Sequence, residues 1–369
     1  MKFTCERSML LKEIAFAQEI IASKIAGSIL SYIGLEAEQD TLHIQATDGL
    51  KVNFRTSVPV IVIESGTASV FGDKFLGILN SIPEGELEFE QAEGKTTIRP
   101  TFKKINFQLK SMASDEFPEL PIPNEEDFFT FPTRDIKEMI LQTVFAVSGD
   151  ETRYNMNGVC FEKKDGKLIM AATDGRRLAF IEKTPEGALP DFPSVIIPPK
   201  LLNIITRHAG DEGEIAIAVS GQHIFVRFGS YDLSSKLIEG QFPNYQRVIP
   251  ENQSFVFSVN RMEMLDALKR VSIFAEQKVG RVHVGITHSL VSVYTDESDI
   301  GTAKEEIAAR YEGDEVAIAL NYHYIEEPLK VMSNNEVSFH FTDPLKALSI
   351  KSEPEQSFIH VIMPMQQQS

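Results

Sequence analysis

The sequence predicts an α+β protein built from three repeated domains, each with two helices packed on antiparallel sheet. Three observations predict it: a helical pattern that recurs three times in one register, a second block that recurs behind each copy, and alternating apolar stretches between them. Phe-Thr-Cys at Phe3, Phe-Thr-Phe at Phe129 and Phe-Ser-Val at Phe257 each precede by seven residues the first position of an amphipathic helix. Leu10, Ile14, Ala17 and Ile21 recur as Ile136, Ile140, Thr143 and Val147, then as Met264, Leu268, Val271 and Ala275. Steps of four, three and four keep one helix face apolar.

The strands follow. TLHIQAT, KVNFRTSVPV, KINFQLKS, HIFVRFGS, LVSVYTD and KALSIKS alternate with period two, and Asp48-Gly49, Asp165-Gly166 and Asp174-Gly175 supply turns. The closing block of each unit reads strand, short helix, polar turn, strand. VFGDKFLGILNSIPEGELEFE answers VIIPPKLLNIITRHAGDEGEIAIAV, and Lys74 and Lys200 each stand 71 residues after Phe3 and Phe129. The third version, VAIALNYHYIEEPLKVMSNNEVSFHF, is shorter. Units one and two close on FPEL at Phe117 and FPNY at Phe242, whereas unit three ends in VIMPM and QQQS. The Pro-containing stretches from Pro121 to Phe128 and from Ile249 to Ser254 are the expected linkers, giving domains over 1–124, 125–252 and 253–369.

An apolar share of 43% over 369 residues supplies a core for each of three domains of ordinary size. Cys5 and Cys160, the two cysteines, fall in different units and form no disulfide framework, so a reducing compartment is expected. The opening MKFTCERSML lacks the apolar core of a signal peptide and no run approaches the length of a membrane span, which predicts a soluble intracellular protein without a membrane partner.

A net charge of -17 is the opposite of the basic excess of a conventional DNA-binding protein. Its distribution is uneven. The six helical stretches, about 7 to 24, 73 to 82, 134 to 147, 198 to 208, 261 to 278 and 321 to 332, hold 13 Lys or Arg against 10 Asp or Glu, a net of +3, so the remainder carries -20. A mildly positive helical layer against an acidic sheet layer presents one face to phosphate and the other to water. Few cationic contacts release few counterions, so such a layer binds duplex weakly, and retention on DNA then requires encirclement. The same charges are also what ordinary solvated helix faces carry.

AATDGRRLAF at 171–180, RYNMNGV at 153–159, SKLIEGQFPNYQRVIP at 235–250, the opening MKFTCER and the ending VIMPM closely resemble the sliding-clamp family, the β subunits of bacterial DNA polymerase III. The resemblance runs through all three units. It implies a closed ring of two copies, six similar domains with helices lining the hole and sheet outside. It also implies a processivity factor without catalysis or cofactor, cytoplasmic and associated with the nucleoid. The implied partners are double-stranded DNA held topologically, the polymerase III catalytic subunit, the clamp loader, and other polymerases and repair proteins that carry short Gln, Leu and Phe motifs.

The resemblance places the client-peptide pocket on several segments. Met156, Thr173, Gly175, Arg176, Arg177 and Leu178 come from the second unit, and Pro243, Arg247 and Val248 follow it. Val279, Asn321, Tyr324, Leu345 and Ala347 come from the third, with Val361, Ile362, Met363, Pro364 and Met365 at the end. Leu178, Val248, Val361, Met363, Pro364 and Met365 offer adaptable apolar walls for Leu and Phe anchors, and Arg177 and Arg247 are expected to orient the peptide. Arg176 stands where His is common in the family, Val279 where an aromatic is common and Ala347 where a small hydroxyl is common, so the wall is expected to be flatter and client ranking to differ.

Lys24, Arg153, Tyr154, Lys200 and Arg207 are the implied DNA-facing residues, with Asn155 in place of a second aromatic. The implied homodimer contact is head-to-tail between domains one and three, a heterologous interface that closes after two copies. KKINFQLKS is the expected edge strand. Phe107 and Leu109 would pack on Ile273 and Phe274, while Lys74, Lys103 and Lys104 face Glu297, Glu305 and Glu306. Phe107 is equally readable as an intradomain core residue. Exposed ion pairs add only ~0.2 to 1 kcal/mol each, so closure is expected to rest on strand pairing and apolar contact.

Catalytic signatures are weak. Asp174-Gly175 is first a turn signal and no nucleophile-base pair accompanies it. His283 and His288 fall on opposite faces of a continuous strand, which disfavours a joint metal site. A hydrolase on the repeated scaffold and a peptide- or glycan-binding module without DNA function are the competing classes. Turnover would reveal the first, and peptide binding without retention on circular DNA the second.

Overall fold

The computed structural model describes residues 1–21, 28–49, 51–112, 117–187, 189–354 and 357–366. The first repeat begins with β1 (Lys2–Glu6), α1 (Arg7–Ile20), β2 (Tyr32–Glu38), β3 (Thr41–Thr47), β4 (Val52–Pro59) and β5 (Ile61–Glu64). It continues with β6 (Gly66–Phe71), α2 (Gly72–Ser81), β7 (Glu86–Ala92), β8 (Lys95–Pro100) and β9 (Phe107–Met112). The second opens with β10 (Phe129–Pro132), α3 (Thr133–Leu141), β11 (Val159–Lys164), β12 (Lys167–Thr173) and β13 (Arg177–Lys183). It closes with β14 (Val195–Ile197), α4 (Pro199–His208), β15 (Glu214–Ser220), β16 (His223–Phe228) and β17 (Tyr231–Lys236). The third has β18 (Phe255–Asn260), α5 (Arg261–Val271), β19 (Arg281–Ile286), β20 (Leu290–Tyr294) and β21 (Lys304–Tyr311). Its second half has β22 (Val316–Asn321), α6 (Tyr322–Val331), β23 (Glu336–Phe341), β24 (Leu348–Glu353) and β25 (Phe358–Ile362). Apart from β5, one plan of strand, helix, four strands, helix and three strands is used three times.

The expected helix faces are the buried ones. Leu10, Ile14 and Ala17, then Ile136 and Ile140, then Met264, Leu268 and Val271 are all at most 1% exposed. The helices are shorter than the pattern suggested, since Ile21, Val147 and Ala275 lie beyond their ends. In α3 the reason is local: Thr143, buried in the apolar stripe, donates its Oγ1 proton within reach of the Met139 and Ile140 carbonyls at 2.7 and 3.3 Å, and the chain tightens into a 3-10 turn at Val144–Ala146. Asn260 caps α5 by accepting from the amides of Met262 and Glu263.

The phenylalanines that announce each repeat sit at one structural position. Phe3 lies opposite Phe89 and stacks on it at 4.8 Å, and Phe257 lies opposite Phe339 and stacks at 4.6 Å. Phe129 occupies the same place opposite Ile217. Each aromatic pair contributes about 0.5–1.5 kcal/mol beyond its buried area.

The chain forms two compact units whose division cuts through the second repeat. Residues 1–133 and 207–237 carry a 13-stranded sheet in the order β10-β15-β16-β17-β4-β3-β2-β6-β9-β8-β7-β1-β5. Residues 134–206 and 238–369 carry a 12-stranded sheet in the order β14-β11-β12-β13-β25-β24-β23-β18-β21-β20-β19-β22. Within the first unit, repeats one and two are joined by antiparallel pairing of β4 with β17, where Phe54 faces Leu233 and Val52 faces Ser235. Within the second, repeats two and three are joined by β13 and β25, where Leu178 faces Val361.

Candidate functional site

The second unit packs an apolar cluster at the β13 and β25 junction, where the candidate pocket residues gather. Leu178 and Val361, 1% and 3% exposed, form a cluster with Cys160, Ile169, Ala171 and Tyr245, against which Phe180, Phe242, Ile249, Ala347 and Ile359 pack. Thr173, Asp174 and Gly175 make the tight turn that starts β13. The Thr173 Oγ1 donates to the Arg177 carbonyl at 2.6 Å and accepts from the Gly175 amide at 3.1 Å. Asp174 Oδ1 accepts from the amides of Arg176 and Arg177 at 2.9 and 3.1 Å. Gly175 sits at φ +85°, a conformation that strains any residue with a Cβ.

This turn holds the terminal segment. The Met363 amide donates to the Arg176 carbonyl at 2.9 Å, and the Met365 amide to the Ala319 carbonyl at 2.8 Å. Ile362 is fully buried, Pro364 and Met365 are half-buried, and Met363 is 47% exposed. Asn321 caps α6 through the His323 amide and donates its side-chain nitrogen to the Val279 carbonyl at 3.3 Å. Val248 and Leu345, 52% and 64% exposed, add uncovered apolar surface. Pro243 and Met156 are half-buried, Arg176 and Arg247 exposed. Among the described residues no hydrogen bond draws Met156, Arg247 or Leu345 to the terminal segment.

Arg177 is held by groups of its own chain. Its side chain is 8% exposed, donates Nε to Asp174 at 3.0 Å, pairs with Glu327, and donates to the Phe145 carbonyl at 2.6 Å. The guanidinium carbon also lies 4.6 Å from the Tyr324 ring centre. Three of its five N–H donors are thus engaged within the chain, as an enclosed charge requires. Sequence reasoning missed Asp174 as its partner, Phe145, Glu327 and the buried His360 beside them. Only Asp174, in its turn, carried a local signal.

Of the DNA-facing candidates, Lys24 lies outside the described residues. Arg153 and Tyr154 are exposed in a 3-10 segment at Glu151–Met156, where Arg153 donates to the Asp174 carbonyl at 3.3 Å. Lys200 opens α4, and Arg207 at its other end pairs with Glu19 at 3.1 Å. Many helical cations are likewise answered within the chain, among them Lys330 by Glu326 and Arg270 by Glu305. The helical layer is therefore less cationic toward an approaching phosphate than its count of Lys and Arg suggests.

The interface candidates flank two half-open strands. Phe107–Lys110 of β9 pair with β8 on one side, and only Ser111 and Met112 pair with β6 on the other. Lys304–Ala308 of β21 pair with β20, and only Ala309, Arg310 and Tyr311 pair with β18. Among the described residues these stretches have no second strand. In the repeat plan β9 corresponds to β17 and β25, and β21 to β4 and β13, the strands that join repeats within each unit. Phe107 and Leu109 are half-buried rather than core, Ile273 is 73% exposed, and Phe274 is half-buried. Lys74 and Lys103 are exposed. Glu305 is held by Arg270 of its own chain at 2.5 and 2.7 Å.

Among the described residues no cluster of three His, Cys, Asp or Glu side chains could hold a metal ion. His283 pairs with Asp296 at 2.8 Å. Burial pushes both thiols, Cys5 and Cys160, up to about 12, so neither is a nucleophile at neutral pH.

Three like repeats joined strand to strand, with a half-open strand among the described residues of the first and another in the third, define a repeat protein. The chain belongs to the DNA polymerase III beta subunit family: the models of its N-terminal, central and C-terminal domains match residues 1–121, 130–244 and 246–366. It is 45% identical over 370 residues to the beta sliding clamp of Treponema pallidum, covering 99% of this chain and 100% of that one. Its fold matches the DNA polymerase sliding clamp of Bacillus subtilis with TM-score 0.95 at 25% identity, and a DNA polymerase III subunit beta of Bartonella birtlesii bound to griselimycin with TM-score 0.93 at 28% identity; each match covers both chains completely.

Proposed function

We propose that this chain is a DNA sliding clamp, a non-catalytic processivity factor that closes as a homodimer around duplex DNA and tethers the replicative polymerase. The observation that carries this reading is the pair of half-open strands. The junction strands β4 and β17, and β13 and β25, are paired within the chain, while the equivalent β21 and β9 lack each other. Pairing β9 of one copy with β21 of a second copy, twice, uses every junction strand and leaves none open. Family membership supplies the rest.

In this reading the clamp raises the local concentration of its client on the template instead of catalysing a step. Clients dock through a short Gln, Leu and Phe motif on Leu178, Val361, Met363 and their neighbours. A loader that hydrolyses ATP opens one junction. Arg153, Tyr154, Lys200 and Arg207 contribute weak, salt-sensitive contacts to DNA. The protein works in the cytoplasm, on the nucleoid; no helix among the described residues is long and apolar enough to cross a membrane.

The test is retention on nicked circular DNA after incubation with a compatible loader and ATP, followed by restriction. Retention through a salt wash, and release on cutting, is the expected result. Equal loss from circles and linear DNA by a folded dimer rejects topological binding.

A further inference from the structure

We propose that the cavity between the linker after the first repeat and the joint of β4 with β17 is a binding site for a small free carboxylate on a short branched aliphatic chain. The site lies apart from the β13 and β25 junction, and the inference does not depend on the clamp reading.

Two arginines strap the linker to the sheet. Arg55 of β4 donates to the carbonyls of Leu120 and Pro121 at 2.7 and 3.4 Å. Arg227 of β16 donates to both carboxylate oxygens of Glu125 at 2.6 and 2.8 Å, and its guanidinium carbon lies 4.2 Å from the Phe128 ring centre. Between strap and sheet remains a cavity of about 80 Å³. Asn53, Arg55 and Ser234 line it from the sheet, and Leu120, Ile122 and Phe128 from the linker. All of them belong to the first compact unit.

Donors outnumber acceptors in this lining. Two bonds to the linker occupy Arg55, and its other N–H groups have no hydrogen-bond partner among the described residues. Asn53 accepts from the Thr47 hydroxyl and donates one N–H to Ser234, which leaves its second N–H and the Ser234 hydroxyl proton to give. Arg55 and Arg227 against Asp232 make the lining net cationic in a chain of net charge -17. Asp232 already accepts from Arg227 Nε at 2.6 Å. Burial lowers the pKa of Arg55 from its usual value, and Asp232, facing it across the strands, offsets only part of this. An anion brought against the guanidinium therefore relieves a charge that the fold leaves under-compensated.

The volume sets the size of the ligand. Room for about five water-sized groups suits a carboxylate with an isopropyl group and is too little for a peptide strand. The cavity is not a by-product of the repeat plan. Leu120 closes FPEL where Tyr245 closes FPNY. In the second joint Tyr245 is buried against Leu178 and Val361, and its hydroxyl donates to Glu162 at 2.7 Å. The corresponding place is filled by a ring and apolar side chains in one joint and left open and donor-rich in the other. A carboxylate bound there bridges linker and sheet, and so fastens the first two repeats where β4 meets β17.

The experiment titrates sodium isobutyrate into the full-length protein and follows saturation-transfer NMR and thermal unfolding. Isobutyramide is the uncharged isostere, and N-acetylvaline carries the carboxylate on a peptide unit. Isobutyrate should bind with a dissociation constant of about 1 mM, the scale expected of so few atoms, and raise the melting temperature. Isobutyramide should bind about tenfold or more weakly, and Arg55→Gln should weaken isobutyrate by a similar factor. Arg55 also holds the linker, so the deciding variant is Leu120→Tyr, which keeps Arg55 and fills the cavity as the second repeat does. It should abolish isobutyrate binding without lowering the melting temperature. A fluorescently labelled peptide carrying Gln, Leu and Phe should bind Leu120→Tyr like the wild type and should not be displaced by isobutyrate. Unchanged isobutyrate binding by Leu120→Tyr, equal binding of the amide, or displacement of the peptide overturns the proposal. Tighter binding of N-acetylvaline than of isobutyrate overturns the assignment to a free acid. No saturation transfer at about tenfold the expected constant rejects the site.

Discussion

Leu178 of the second repeat faces Val361 of the third across an antiparallel strand pair, and that pair is the structural counterpart of Val52 facing Ser235 between the first repeat and the second. The two joints differ in what surrounds them. At Leu178 the chain runs out into Met363, Pro364 and Met365 and leaves apolar surface open, whereas Ser235 is followed by chain that continues into the next repeat.

The third joint is expected between copies. Phe107→Asp places a charge on the half-open strand β9 and should raise the dimer dissociation constant by roughly 30-fold or more, about 2 kcal/mol, while each protomer stays folded. Lys103→Ala removes only an exposed charge and should change it by less than about tenfold. Sedimentation velocity over a dilution series separates the two. Dimers of unchanged stability with Phe107→Asp would place the interface elsewhere.

Replacing Met363 and Pro364 together by Ala should abolish stimulation of the polymerase and weaken the labelled client peptide by roughly 30-fold or more, with the dimer intact. Met363 is half exposed and Pro364 half buried, so the pair can be trimmed without opening the core around Leu178. Peptide anisotropy and dimer mass are read on the same sample. Monomers in place of dimers would show that the terminal segment serves assembly instead.

Most of the fold was legible because its signals are local and repeated. Phe3, Phe129 and Phe257 mark strands that open three copies, and the buried positions of α1, α3 and α5 follow one apolar stripe. The stripe of α3 outran its helix because Thr143, buried within it, turns its hydroxyl onto carbonyls one turn back and the chain tightens there. The candidate pocket was named only through resemblance, since Leu178, Asn321 and Val361 are far apart in sequence. The enclosure of Arg177 was not legible. Its burial is set by Glu327 and by the Phe145 carbonyl, and no spacing rule connects 145, 177 and 327.

His360 should make stability fall on acidification. It is fully buried beside Phe145, and among the described residues neither ring nitrogen has a hydrogen-bond partner. Burial, and secondarily the Arg177 charge, push its pKa down to about 3 from the usual 6.5. The unfolded chain therefore takes up a proton below about pH 6.5 that the folded chain refuses until about pH 3. The contribution is complete above the upper value and is lost through that window at up to about 1.4 kcal/mol per pH unit. Urea midpoints at pH 7 and pH 5.5 for the wild type and His360→Phe test it. The wild type should lose more between the two, and equal losses would exclude His360 as the cause.

Glu13 should do the reverse. Its carboxylate lies under α1, 5% exposed; one oxygen accepts from the Tyr231 hydroxyl at 3.2 Å and the other has no partner among the described residues. Burial raises its pKa above the ordinary carboxylate value, and Lys12, Tyr231, Thr56 and His208 only partly offset this. A raised folded pKa means that the side chain contributes stability while protonated, below the unfolded value, and that this is lost as pH rises through the folded one. At neutral pH the ionised group is thus a liability. Glu13→Gln keeps the shape and an acceptor for Tyr231 while removing the charge, so thermal unfolding at pH 7.5 should move up by roughly 2 °C or more. At pH 4, where the carboxyl is largely protonated, the two proteins should melt together. A variant that melts lower at pH 7.5 would mean that the Lys12 charge stabilises the carboxylate by more than its burial penalises it.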